Sequence, residues 1–261
     1  MEDSLKAVIG LYVDGIVHGR LTEAVAERVS EQFIEHTPGV GSGRQGLLDT
    51  WGPIVARYHR RSIAVVRGFS DAGTVVLHTV RRFGYREVEE VGLDMFDLDP
   101  AGRIVEHWGV ASPLIGALPS GHSQVDGPRM IEDRGRGAAN KAVVAEHLAA
   151  LISGQHEDAT GHLAGSFVDH HAGAAVRPAY QRVVRVAGCG NFVAALSRSA
   201  LGDRVAAVFD LYRLAGGRVV EHWDTVQPLP VVRTAAQRLA RHGSVAPPVY
   251  RRPHGPVERR A

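Results

Sequence analysis

The sequence predicts an α+β fold built twice: two tandem cone-shaped barrels, each a set of helices packed on a curved antiparallel sheet. Three observations carry this. GRIVEHW at 102–108 and GRVVEHW at 217–223 differ at one position, FIEH at 33–36 answers FVDH at 167–170, and LKAVIGLYVDGIVHG at 5–19 answers NKAVVAEHLAALISG at 140–154. Three matches in one order indicate a duplicated domain, and their period is far too long for a solenoid. In each half the apolar period changes from 3.6 residues to two, so helices come first and strands follow. A chain of 261 residues, 44% hydrophobic and 22% charged, is long enough for two domains of ordinary size and has the composition of a folded soluble protein.

Leu5, Val8, Ile9, Tyr12, Val13, Ile16 and Val17 follow helical spacing, with Asp3 and Ser4 available as caps. Val25, Val29 and Phe33 continue the pattern into an expected second helix, closed by His36 in the first copy and His170 in the second. Leu47, Leu48, Trp51, Ile54, Val55 and Tyr58 predict a third helix, in which Pro53 marks a kink or the first turn. The second copy has no counterpart to that helix and is the reduced one. TVVLHTV (74–80), GLDMFDL (92–98) and RIVEHWGV (103–110) alternate with period two and are split by Asp99, Pro100 and Gly102, which predicts antiparallel hairpins. A sheet curved around helices in this way encloses a cavity.

These readings divide the chain into a first domain at 1–112, a Gly- and Pro-rich linker at 113–137, a reduced second domain at 138–230 and a basic tail at 231–261, expected to be disordered. The net charge of +2 hides an uneven distribution: the tail holds seven arginines against Glu258, leaving 23 basic and 27 acidic residues elsewhere. A body of that sign lacks the basic face of a nucleic-acid binder. No apolar run approaches the ~20 residues of a membrane span, and the start has no signal-like core. A cytoplasmic protein is expected. The single cysteine, Cys189, precludes an internal disulfide and reads as a small buried apolar residue.

The segment FIEHTPGVGSGRQGL, the LHT strand and LDMFDLDPAGRIVEHW in the first copy, with FVDHHAG and VFDLYRLAGGRVVEHWDTVQP in the second, resemble the SnoaL-like group of the nuclear transport factor two-like superfamily. The resemblance spans most of 5–112 and 140–230. It implies one deep, mainly apolar pocket per copy, an intramolecular pseudo-dimer of the two copies, and room for further homo-oligomerisation. It also implies acid/base chemistry on an activated carbonyl or polyketide-like compound, by cyclisation, isomerisation or dehydration, with no cofactor or metal. By position the roles fall on Asp94 as base and His78 as the group that stabilises or protonates the enolate. The second copy keeps the acid as Asp210, has Leu196 in place of the histidine, and ends its motif with Asp224 where the first copy has Gly109.

Asp94 shares a strand face with Phe96 and Leu98, so burial is expected to raise its pKa; the alternative is an acid paired with an arginine. His78, on a face with Val76 and Val80, reads either as a proton relay or as a satisfied core histidine. His36, His107, Trp108, Tyr12 and Trp51 are pocket or supporting candidates, and Asp210, His222, Asp224 and His170 are those of the second copy. His107 and Trp108, like His222 and Trp223, point to opposite strand faces. Fourteen histidines would permit a metal, but no local ligand spacing supports one. GVGSGR at 39–44 lacks a phosphate-loop ending and no GxSxG is present, so nucleotide and covalent chemistry are unsupported. Two alternatives stay open: from another class, a protein that binds a small apolar molecule without transforming it, or serves as a scaffold, and, as a variant of the enzyme reading, one that opens epoxides.

Overall fold

A computed structural model of the chain describes residues 2–118, 120–171 and 177–230; the basic tail lies outside them. The first half opens with α1 (Glu2–Gly10), which continues into a wider-wound turn at Leu11–Val17, and α2 (Leu21–Arg28) folds back against it. Val8, Leu11, Tyr12, Ile16, Leu21 and Val25 are buried on one side of this pair, as their helical spacing requires. The helix expected to run on through Phe33 instead ends at Arg28, and Val29–Glu35 forms strand β1. Residues four apart share a face in a helix and in a strand alike, so the burial of Val29 and Phe33 suits both. His36 therefore follows a strand rather than closing a helix, and its backbone N–H donates to His107 O at 2.8 Å. His170 stands in the same way after β6 (Leu163–Asp169) and donates to His222 O at 2.8 Å.

Helix α3 (Gly43–Arg57) follows, with Pro53 well past its first turn. Four strands complete this half: β2 (Arg61–Asp71), β3 (Thr74–Phe83), β4 (Val88–Leu98) and β5 (Ile104–Pro113). The sheet order is β1-β5-β4-β3-β2, antiparallel except for β1, which joins β5 in parallel. The second half repeats the plan with α4 (Gly137–Ser153), α5 (His156–Gly161), β7 (Ala179–Cys189), β8 (Phe192–Leu201), β9 (Arg204–Ala215) and β10 (Arg218–Pro228), in the order β6-β10-β9-β8-β7. The chain passes from β6 to β7 within residues 170–178, whereas 36–60, including α3, lies between β1 and β2. No helix among the described residues is long and apolar enough to cross a membrane.

Alternation along the strands sorts side chains to two faces. One face of each sheet turns toward its own helices, Leu77 and Phe96 in the first half and Val193 and Tyr212 in the second. The opposite faces meet in one shared core, where Phe69, Leu93, Met95 and Trp108 pack on Phe192, Phe209, Leu211 and Trp223. Cys189 is buried in this core. Arg185 reaches Asp97 at 2.5 Å and Lys141 reaches Asp71 at 2.6 Å across the same junction.

The two interiors differ. The first encloses only about 10 Å³, because Tyr12, Trp51, Phe96 and Leu47 fill it. The second contains a cavity of about 520 Å³ lined by Leu151, Leu163, Phe167, Tyr180, Tyr212, His171, His222 and Asp224. The expectation of one deep pocket in each copy is thus corrected for the first. Two sequence differences account for the contrast: the second half lacks the segment that carries Trp51, and Ser199 stands on β8 where Arg81 stands on β3. That correspondence follows from register, since Leu77 faces Asp94 and Ala195 faces Asp210, with Arg81 and Ser199 each four residues further on.

Candidate active site

The same acid–histidine–acid relay is built into both barrels. Parallel pairing sets Glu35 beside His107 on β5, and Asp169 beside His222 on β10. In the first barrel His107 Nδ1 lies 2.9 Å from Glu35 Oε2 and its Nε2 lies 3.2 Å from Asp94 Oδ1. In the second, His222 Nδ1 lies 3.0 Å from Asp169 Oδ1 and Nε2 lies 2.9 Å from Asp210 Oδ1. Burial opposes the charge on each imidazole, but the flanking carboxylates outweigh it and raise His107 to about 9 and His222 to about 10.

What surrounds each relay differs. In the first barrel the guanidinium of Arg81 closes on Asp94 Oδ2 and approaches the Tyr12 hydroxyl at 3.3 Å. Burial pushes the Asp94 carboxyl up, but Arg81 and His107 pull it below the ordinary carboxylate value, the reverse of the rise expected from its apolar strand face. Position 109 opposite Asp94 is glycine, and a side chain there would collide with Asp94, Thr37 and His107. In the second barrel the position opposite Asp210 holds Asp224, whose Oδ2 lies 2.6 Å from His171 Nδ1. His171 and Asp224 both line the large cavity. Tyr180 donates its hydroxyl to Asp210 Oδ1 at 2.7 Å, while the buried Oδ2 of Asp210 has no partner among the described residues. Burial and the neighbouring Asp224 raise the Asp210 pKa against the pull of His222.

His78 and Asp94 are not brought together. Asp94 stands opposite Leu77 and faces the first interior; His78 stands opposite Leu93 and faces the junction between the sheets. There His78 Nδ1 lies 3.1 Å from Arg67 Nη1, and burial, followed by the charge of Arg67, lowers the imidazole to about 3. It is a neutral core histidine. Tyr12, Trp51 and His107 line the filled first interior, and Trp108 lies in the shared core with His36 stacked on it at 4.4 Å. His170 stacks on Trp223 at 4.7 Å, away from the second cavity. Of the second-copy candidates, His222 and Asp224 line the cavity and Asp210 supports them from behind. Asp169, His171, Tyr180 and Tyr212 complete the site and were not anticipated. Asp169 falls in a stretch that reads as helix, and His171 is masked by the matched histidine before it.

Two groups of donors among the described residues are close enough to hold a cation: Asp210, His222 and Asp224, and, outside the cavity, His122, Asp126 and His170. In the first, both nitrogens of His222 are engaged by carboxylates and its proton is held firmly, so the imidazole offers no lone pair.

The buried imidazoles make stability pH-dependent. His107 and His222 have folded pKa values above the unfolded value of ~6.5, so their contribution is complete below pH ~6.5 and is lost as pH rises toward about 9 and 10. His78, lowered to about 3, acts oppositely: the unfolded chain binds its proton first as pH falls below ~6.5. Unfolding free energy from urea titrations at constant ionic strength is expected to peak near pH ~6.5 and decline on both sides. A flat profile from pH ~7 to ~10 would contradict the two raised imidazoles.

No protein-family model matches the chain, and no curated protein matches it. Solved structures do. IdmH from Streptomyces antibioticus, described as a candidate polyketide cyclase, is 23% identical over 42% of this chain and 91% of its own, with a TM-score of 0.37. A candidate SnoaL-like polyketide cyclase from Jannaschia sp. CCS1 is 12% identical over 42% and 86%, with a TM-score of 0.38. A candidate isomerase of the SnoaL-like family from Agrobacterium tumefaciens is 15% identical over 43% and 99%, also at 0.38. Over a stretch of that length, this chain is similar to solved structures of the SnoaL-like group.

Proposed function

We propose that the second barrel is a cofactor-independent acid/base enzyme acting on an activated carbonyl compound of polyketide type. One observation supports this above the others: a cavity of about 520 Å³ whose wall combines the His171–Asp224 pair with the charged His222 of a buried relay. Leu151, Leu163 and Phe167 offer an apolar wall for the body of the molecule. Asp224, held by His171, removes the proton next to the carbonyl. The electron pair moves onto the carbonyl oxygen, and the positive charge of His222 stabilises the enolate. Both N–H groups of His222 already serve Asp169 and Asp210, so it acts through its field. Return of the proton from Asp224 to another carbon completes an isomerisation; attack of the enolate carbon on a second carbonyl of the same molecule, with the proton on Asp224 passing to the alkoxide oxygen so formed, completes a ring closure.

In this reading the first barrel is a filled support, and the shared core between the sheets supports an intramolecular pseudo-dimer. The facing strand positions of Asp210 and Asp224 favour a second reading, in which the two acids activate a water toward an epoxide. Incubating the full chain in D₂O with cyclic β-diketones and, separately, with an alkyl epoxide discriminates between them. Deuterium exchange above the buffer rate supports proton abstraction; epoxide hydrolysis without exchange selects the second reading. Tight binding of a diketone with neither reaction selects a binding protein.

A further inference from the structure

We propose that His122, Asp126 and His170 form a binding site for a divalent transition cation that fastens the linker to the second barrel. The three side chains offer two imidazoles and a carboxylate whose ligand atoms all lie within 4.8 Å of one another, a donor set suited to zinc. His122 and Asp126 sit four residues apart on the linker, and His170 follows β6, so the site joins two segments distant in sequence. His170 is the anchor: its side chain is 0% exposed and its ring is stacked on Trp223.

The hydrogen-bonding pattern identifies the one rearrangement a cation would require. Among the described residues Asp126 Oδ1 is buried and receives no hydrogen bond although His170 Nδ1 is 2.8 Å away, because that ring nitrogen is directed at Ser123 O, also at 2.8 Å. His170 Nε2 is buried without a hydrogen-bond partner among the described residues, with Glu221 Oε1 3.6 Å from it. With Ser123 O turned aside and the ring proton carried on Nε2, Nδ1 becomes a ligand and the Nε2–H is aimed at Glu221. A metal-bound histidine commonly donates its second N–H to a carboxylate in this way. His222 has no equivalent freedom. The matching position in the first barrel, His36, is part-exposed and spends its Nε2 on Glu106 at 2.9 Å. The side chains of His122 and Asp126 are each 44% exposed, so the cation would be reached from solvent and could keep a water as its fourth ligand. This departs from the expectation, drawn from sequence spacing, that the chain holds no metal.

The experiment is calorimetric titration of the chelator-treated full chain with zinc chloride, with the thermal midpoint measured in parallel. The wild type is expected to take up one zinc ion per chain with a rise in Tm. His122→Ala and Asp126→Asn, both at solvent-accessible positions, are expected to weaken that uptake by about 10-fold or more each, with Asp224→Asn retaining wild-type affinity. The proposal is overturned if the wild type shows no stoichiometric uptake, or if the double variant H122A/D126N binds as tightly as the wild type. Loss of binding in Asp224→Asn alone would place the cation in the cavity and overturn it as well.

Discussion

Asp224→Asn is expected to lower proton exchange on an enolisable substrate by about 10²- to 10⁴-fold, the contribution of a positioned general base. The chain is expected to stay folded. Asparagine has the size of aspartate and keeps an oxygen for His171 Nδ1, so the 2.6 Å contact survives as a neutral hydrogen bond while the proton acceptor is lost. Binding of an unreactive β-diketone should persist within a few-fold, because Leu151, Leu163 and Phe167 are untouched. Exchange at the wild-type rate in this variant would remove Asp224 from the chemistry.

Asp94→Asn in the first barrel should do the opposite: little change in exchange and a large loss of stability. Asp94 is 1% exposed and neutralises Arg81, whose side chain is 7% exposed, while also holding one side of His107. Removing its charge leaves a buried guanidinium without its counter-ion, which typically costs about 3–5 kcal/mol. Denaturant titration checks the figure, and exchange measured where the variant remains folded checks the chemistry. A stable Asp94→Asn protein that has lost exchange would return the site to the first barrel and contradict the assignment to the second.

The contrast between these two residues also marks how far the sequence could be read. The duplication, the antiparallel strands β3, β4 and β5 and the opposite faces of His107 and Trp108 are legible, because repeats and period-two alternation depend only on local pattern. The filled first interior is harder to see, since an arginine on a strand ordinarily reads as solvent-facing. Counting alternate residues from Leu77 to Thr79 and Arg81 does place the guanidinium on the Asp94 face, but that inference needs the β3–β4 register. The pairing of His78 with Asp94 failed on the same point: adjacent strands put Leu77, not His78, opposite Asp94. Glu35 and Asp169 escaped notice because Val29 and Phe33 suit a helix and a strand equally, and only as strands do β1 and β6 bring those acids to the histidines. Asp210 and Asp224 were visible as candidates; the cavity that makes them useful follows from a missing segment and a serine, neither of which carries a motif.

The shared core between the sheets has one consequence for how such a protein can change. Two identical subunits meeting through this face would carry every substitution twice, so a mutation that strengthened one interior at the expense of its cavity would empty both sites of function together. Joining the halves in one chain removes that constraint. Arg81 and Gly109 can close one interior around a buried ion pair while Ser199 and Asp224 keep the other open, and the packed half lends rigidity to the hollow one through Trp108, Leu93 and Phe209. Covalent tandem joining lets the two copies divide labour that symmetry would oblige them to share.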